Sequence, residues 1–231
     1  MSDHHEHRQE GQQRPVCTTC RIEACNGEPG ARTPPGFCPM VTDLQLLNEV
    51  ERIVIQDDGL RRMAVESART EAAGYCRATR VEEIMDFARR MGWDHLGIAH
   101  CIGLMKEAEA ARRIFTAGGF QVSTVCCKTG SIDKGEVGLL DAEKVHPGEY
   151  EVLCNPVGQA ALLAKAGTQF NVVIGLCVGH DSMFFMHSKA PVTVLVAKDR
   201  VLGHNPVAAL YTSDSYYRRL TRGEEQAGKD G

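Results

Sequence analysis

The chain has 231 residues, of which 26 are Lys or Arg and 30 are Asp or Glu, giving a formal net charge of −4, and 43% are apolar. That balance is ordinary for a globular protein and speaks against a nucleic-acid surface, which clusters Lys and Arg. The start has no apolar h-region, and no stretch is long enough to span a bilayer. The ten cysteines therefore predict a cytoplasmic protein with reduced thiols, not a secreted disulfide scaffold, and with neither a membrane nor a nucleic acid as partner. Such thiols serve as metal ligands, redox groups, nucleophiles or small buried hydrophobes.

Residues 1–15 are rich in His, Gln and Glu and read as a disordered tail. With Met1 removed, Ser2-Asp3-His4 is a chelator for Cu(II) or Ni(II), a reading set against that of a plain solubilising tail. Residues 16–40 hold Cys17, Cys20, Cys25 and Cys38 among Gly and Pro, with too few large apolar side chains for a core. Something other than hydrophobic burial must hold this segment, and four thiolates make a closed metal site. A single CxxC, where a zinc ribbon has two, counts against zinc. Cys38-Pro39 ends as a bacterial ferredoxin run does, but the other spacings do not match, so zinc and an iron–sulfur cluster both stay open.

Residues 41–92 form a helical connector. Leu44, Leu47, Val50 and Val54 recur at helical spacing, and Thr79 with Glu82 makes a capping box that opens a helix through Phe87. Beyond Gly92 the period changes. Strand-like runs at 95–101, 120–126, 170–177 and 192–198 alternate with helical runs at 104–117, 157–166, 181–187 and 206–211. The alternation predicts an α/β domain over 93–217, an open, mostly parallel sheet of about four strands with crossover helices. Residues 128–153 form a loop of a length that is usually functional, and 218–231 are a polar tail.

In a parallel sheet the carboxyl ends of the strands share one edge, where ligands bind. Cys101, the pair Cys126 and Cys127, and Cys177 close three strands, and Cys154 precedes a helix start at Asn155-Pro156. Five thiols thus converge on the edge where α/β proteins do chemistry, with His180 and His204 in reach. Adjacent strand residues point to opposite faces, so one of Cys126 and Cys127 is a core residue unless the strand has already ended. The helices that follow favour thiolate over thiol. Cys101, Cys126, Cys127, Cys154 and Cys177 are then candidates for holding a cofactor. Cys101, Cys126, Cys154, Cys177 and His180 join Cys17, Cys20, Cys25 and Cys38 as candidate metal ligands. Cys76, alone on the connector, reads as a packing residue. Asp181 and Ser182 read as helix caps, as do Asn155 and Asn205, each before Pro. Lys198, Asp199 and Arg200 suit a bound anion, a capped turn or solvation.

Several strings resemble a bacterial and archaeal family of unknown function whose members carry a metal-binding label. They are Cys101-Ile102-Gly103-Leu104, Val125-Cys126-Cys127-Lys128, Cys154-Asn155-Pro156, Gly175-Leu176-Cys177-Val178-Gly179-His180-Asp181-Ser182, and Leu202-Gly203-His204-Asn205-Pro206 running on through Tyr211. The resemblance covers nearly everything from Cys17 to Leu220. It implies metal binding, joins the two cysteine groups in one pattern and leaves the His-rich start outside it.

Three functions compete. The first is a two-site metalloprotein, with zinc or an iron–sulfur cluster at the sheet edge, supporting redox or sulfur chemistry with a redox partner or a small sulfur-containing substrate. The second is a metal-independent hydrolase. Gly175-Leu176-Cys177-Val178-Gly179 has the form of a nucleophile elbow, with Asp199 and His204 following as acid and base, and Cys177, His180 and His204 are the catalytic candidates. Gly175 and Gly179 serving only a tight turn is the plainer reading of that string. The third is a non-enzymatic metal sensor or store.

Overall fold

The computed structural model describes residues 14–222, so the Ser2-Asp3-His4 chelator and the end of the C-terminal tail lie outside the described residues. The chain divides into two compact units between Val65 and Glu66.

In the first unit, a single 3-10 turn at Cys17–Thr19 is followed by α1 (Pro39–Thr42) and α2 (Leu44–Gln56). The apolar periodicity of α2 forms the expected helix. Yet Leu44, Leu47, Val50 and Val54 are all exposed, and Ala24 is the only buried residue described in this unit. Hydrophobic burial therefore contributes little to it, as the composition of residues 16–40 requires. Helix α3 (Asp58–Gly74) runs through the division between the units.

The second unit opens its ordered framework with α4 (Arg80–Met91). Thr79 and Glu82 close the expected capping box: the Thr79 hydroxyl accepts from the Glu82 N–H at 3.4 Å, and the Thr79 N–H donates to the Glu82 carboxylate at 2.7 Å. Gly92, at φ 73°, ends the helix in the left-handed conformation. Ile84 and Ala88 of α4 pack into the core under the sheet. This helix therefore belongs with the α/β unit, and not with a connector reaching to residue 92.

The alternating pattern then yields β1 (His95–His100), α5 (Met105–Ala117), β2 (Gln121–Cys126), α6 (Pro156–Lys165), β3 (Phe170–Ile174), α7 (His180–His187), β4 (Val192–Val196) and α8 (Val207–Tyr211). The four strands form one sheet in the order β2-β1-β3-β4, and every pairing is parallel. Every residue of the central strands β1 and β3 is buried, because helices cover both faces, whereas β2 and β4 at the edges are half-exposed. Leu96, Ile98, Val172 and Ile174 of the central strands meet Phe115, Leu163 and Phe184 of the helices. Each such side chain contributes about 1.5–3 kcal/mol of burial. Arg80 reaches β4, donating to the Val194 carbonyl at 2.7 Å and the Thr193 hydroxyl at 2.9 Å, which occupies part of an otherwise open sheet edge.

Two local features differ from expectation. Strand β3 stops at Ile174, three residues before Cys177, because Gly175 turns to φ +65° with the Leu104 side chain 2.6 Å from where a Cβ would stand. The expected caps divide as well. Asn155 accepts from the Gly158 N–H at 2.8 Å with Pro156 at the first helical position, but Gly179 is the cap residue of α7, and α8 starts after Pro206 without a side-chain cap. Among the described residues, no helix is long and apolar enough to cross a membrane.

Candidate functional site

The strand order reverses between β1 and β3, and the carboxyl ends of that pair flank the crevice where open α/β sheets bind ligands. Cys101 follows β1 directly and Cys177 follows β3 across the Gly175 turn. Cys127 follows β2 and Cys154 precedes the Asn155 cap of α6; the Asn155 N–H donates to the Cys127 carbonyl at 2.7 Å, which brings the start of α6 to the end of β2.

Three sulfurs meet there. The Sγ atoms of Cys127 and Cys154 are 3.8 Å apart, and Cys101 is close enough to Cys127 for the two to titrate together. Cys101 and Cys127 are buried and Cys154 is half-buried, so Cys154 is the most accessible of the three. β2 ends at Cys126 and Cys127 begins the turn that follows; Cys126 is half-buried and packs against the hydrophobic core. Of the two, Cys127 is the one whose sulfur lies beside that of Cys154.

Donors converge on these sulfurs. The turn after β1 aims two successive backbone N–H groups at them, Ile102 to Cys127 at 3.3 Å and Gly103 to Cys101 at 3.4 Å, the second as the side-chain cap of that turn. Lys198 Nζ, beyond the end of β4, lies 2.9 Å from the Cys101 sulfur, and the Arg200 guanidinium lies 3.2 Å from that of Cys177. The Lys128 ammonium is anchored on the Val152 carbonyl within the loop between β2 and α6. Lys198 and Arg200, which sequence reasoning left open to plain solvation, are thus the cationic partners of two thiols. Their place after a strand end was the available signal; their partners lie 97 and 23 residues away in the chain.

The electrostatics divide the three thiols. The hydrogen bond from Cys127 pulls the Cys101 pKa down to about 4 against the opposing effect of burial, with help from Lys198 and the Gly103 N–H. Cys154 is lowered to about 5, again first by Cys127, then by the charges of Lys128 and His180, with burial opposing. Cys127 is pushed well above the usual thiol range by its side-chain interactions with Cys101 and Cys154 and by burial. The coupling therefore favours the thiolate at Cys101 and Cys154 and the thiol at Cys127.

His180, the first residue of α7, has a buried Nδ1 without a hydrogen-bond partner. Zinc held tetrahedrally at about 2.3 Å from each sulfur sets its ligand sulfurs about 3.8 Å apart, and the Cys127–Cys154 pair has that spacing. The wider set does not: among the described residues, no three His, Cys, Asp or Glu side chains are grouped so that they could hold a metal ion. That includes Cys17, Cys20, Cys25 and Cys38, of which Cys17 and Cys25 are exposed and Cys20 accepts only a 3.5 Å contact from the Glu23 N–H. Cys76, expected to pack, is exposed at φ +53° in the turn after α3.

The hydrolase geometry does not assemble. Asp199 Oδ1 accepts from the Val201 and Leu202 N–H groups at 2.9 and 2.8 Å, capping its own turn. His204 Nδ1 accepts from the Asp199 backbone N–H at 3.1 Å and not from its carboxyl group, while the Cys177 sulfur faces Arg200. Nucleophile, base and acid are each engaged elsewhere, and Gly175 serves the turn.

The fold and this edge define an open α/β protein with cysteines gathered at the carboxyl edge of its sheet. The chain belongs to the family described as "Protein of unknown function (DUF1847)", which matches residues 38–195. It is also similar to the uncharacterized protein MJ0455 of Methanocaldococcus jannaschii, at 44% identity over 163 residues, covering 71% of this chain and 82% of that protein.

Proposed function

We propose that the carboxyl edge of the sheet is a thiol-exchange centre, with Cys154 as nucleophile and Cys127 as resolving thiol. The observation that carries this reading is the 3.8 Å separation of their sulfurs beside the thiolate of Cys101 and its Lys198 partner at 2.9 Å. The Cys154 thiolate attacks one sulfur of a substrate disulfide, forming a mixed disulfide and expelling the other half as a thiolate. Cys127 then gives up its proton to that leaving thiolate and attacks Cys154. The second half of the substrate departs as a thiolate, and a Cys127–Cys154 disulfide remains. The substrate gains two electrons and the cysteine pair loses them. Forming the mixed disulfide removes the Cys154 charge that helps hold the Cys127 proton in place, which favours the second step.

A second reading is a soft metal ion such as zinc on the same sulfurs. The ligand spacing of the Cys127–Cys154 pair and the unpartnered Nδ1 of His180 favour it. Alkylation with limiting iodoacetamide at pH 6, followed by peptide mapping, separates the two readings. Thiol exchange predicts that Cys154 is labelled first in protein treated with a strong chelator and equally in untreated protein. Labelling of Cys154 only after chelation supports the metal; preferential labelling of Cys76 in both samples contradicts the exchange centre.

A further inference from the structure

We infer that the electrophile taken by this centre is an anionic sulfane-sulfur donor, such as thiosulfate or an inorganic polysulfide, and that Cys154 carries the transferred sulfur as a persulfide. The inference rests on the thiol-exchange reading of the same site and adds the class of substrate.

Two features are not explained by exchange between two cysteines alone. The first is Cys101, a third sulfur that is too buried to meet a substrate and is held by Lys198 at 2.9 Å and the Gly103 N–H at 3.4 Å. The second is the number of donors aimed at sulfur. The Ile102 and Gly103 N–H groups, Lys198 and Arg200 each point at a cysteine sulfur, and they come from the ends of two different strands. The Gly103 N–H and Lys198 serve the Cys101 sulfur, whereas the Ile102 N–H and Arg200 face Cys127 and Cys177 and are the donors left for an added charge. The terminal sulfur of a persulfide is an anion at neutral pH and lies one S–S bond beyond the cysteine that carries it, so its charge must be met by donors around the site and not at one residue. Arg200 is exposed, beside half-buried Cys177, where it meets an incoming anion before the buried groups do.

The transfer balances without an external oxidant. The Cys154 thiolate attacks the sulfane sulfur of thiosulfate, a new S–S bond forms, the old one breaks, and its electron pair leaves with sulfite. Cys127, 3.8 Å away, then discharges the sulfur: its thiol attacks the Cys154 sulfur, hydrosulfide leaves with the Cys127 proton, and the Cys127–Cys154 disulfide forms. Where Cys127 is absent, the persulfide persists until another nucleophile takes the sulfur; cyanide does so, returning the Cys154 thiolate and thiocyanate.

The test uses reduced, desalted full-length chain incubated separately with thiosulfate and with polysulfide, freed of donor by gel filtration and assayed by cold cyanolysis at pH 8.5. The result expected is about one thiocyanate per chain from Cys127→Ala, and none from Cys154→Ser, with either donor. Wild-type protein releases hydrosulfide instead. Arg200→Gln is expected to slow loading from thiosulfate by about tenfold, and to slow exchange with an uncharged disulfide less. Absence of labile sulfur in Cys127→Ala and of hydrosulfide from wild type overturns the inference. If wild type still forms the Cys127–Cys154 disulfide with a disulfide reagent, the exchange reading survives that failure; if it does not, both fall.

Discussion

The sulfur of Cys127 lies 3.8 Å from that of Cys154, and its titration is coupled to both Cys101 and Cys154. The coupling lowers the pKa of each neighbour and raises that of Cys127. Removing Cys127 is expected to raise the pKa of Cys154, because its hydrogen bond is the largest cause of the lowered value. In wild type, the rate of Cys154 alkylation is expected to hold from pH 8 down to pH 6 and fall with a midpoint near the value of about 5. In Cys127→Ala the midpoint moves upward toward the ordinary thiol value of about 8.5. Iodoacetamide kinetics resolved by peptide mapping give both profiles, and coincident profiles contradict the coupling.

The same shifts make folding stability depend on pH. Cys101 and Cys154 have folded pKa values lowered to about 4 and about 5, against about 8.5 in an unfolded chain. Groups shifted in this sense stabilise fully above the unfolded value, and the contribution is lost as pH falls through the folded one. Urea midpoints of wild type are therefore expected to rise between pH 5 and pH 8.5. The rise should be visibly flatter in Cys154→Ser, and equal slopes in the two proteins would count against the lowered value.

Lys198 is the charged partner of buried Cys101. Lys198→Met removes a charge-assisted hydrogen bond worth about 1.5–3 kcal/mol. A loss of that order in urea unfolding at pH 8 is expected, shrinking when Cys101→Ser is combined with it. A solvated Lys198 would give no loss, and the double variant would be additive.

Gly175 holds the turn from β3 to Cys177 at φ +65°, with Leu104 2.6 Å from the place of a Cβ. Gly175→Ala is expected to cost about 1–3 kcal/mol through the left-handed backbone and the displaced Leu104. Gly179→Ala, at φ +85° but in open space, is expected to cost less. Thermal melts of the two variants check the ranking.

Much of the sheet is legible in the sequence, because apolar runs that need cover on both faces, set between helical runs, admit little but parallel strands. The predicted runs at 95–101, 120–126 and 192–198 contain β1, β2 and β4. The site was legible only as an edge. Placing Cys177 at the end of a strand missed that Gly175 leaves the sheet, since a positive φ enforced by Leu104 is a tertiary fact. Choosing between Cys126 and Cys127 needed the residue at which β2 ends: the strand closes at Cys126, and it is Cys127, in the turn beyond it, whose sulfur meets that of Cys154. Lys198 carries no local mark of its partner, because β4 and the turn after β1 meet only through β3, which pairs with both strands. Helix α4 resembled a connector because its apolar face is no different from that of α2, yet Ile84 and Ala88 pack on the core while Leu47 and Val50 are exposed.

The most direct measurement is a disulfide map. Reduced protein is exposed to one equivalent of oxidised glutathione at pH 7, quenched with acid, digested and read by mass spectrometry. The thiol-exchange centre predicts a Cys127–Cys154 disulfide as the dominant product, with Cys76 still free although it is the more exposed thiol. Glutathione attached to Cys76 or to Cys17 and Cys25, with Cys127 and Cys154 recovered as thiols, would contradict it.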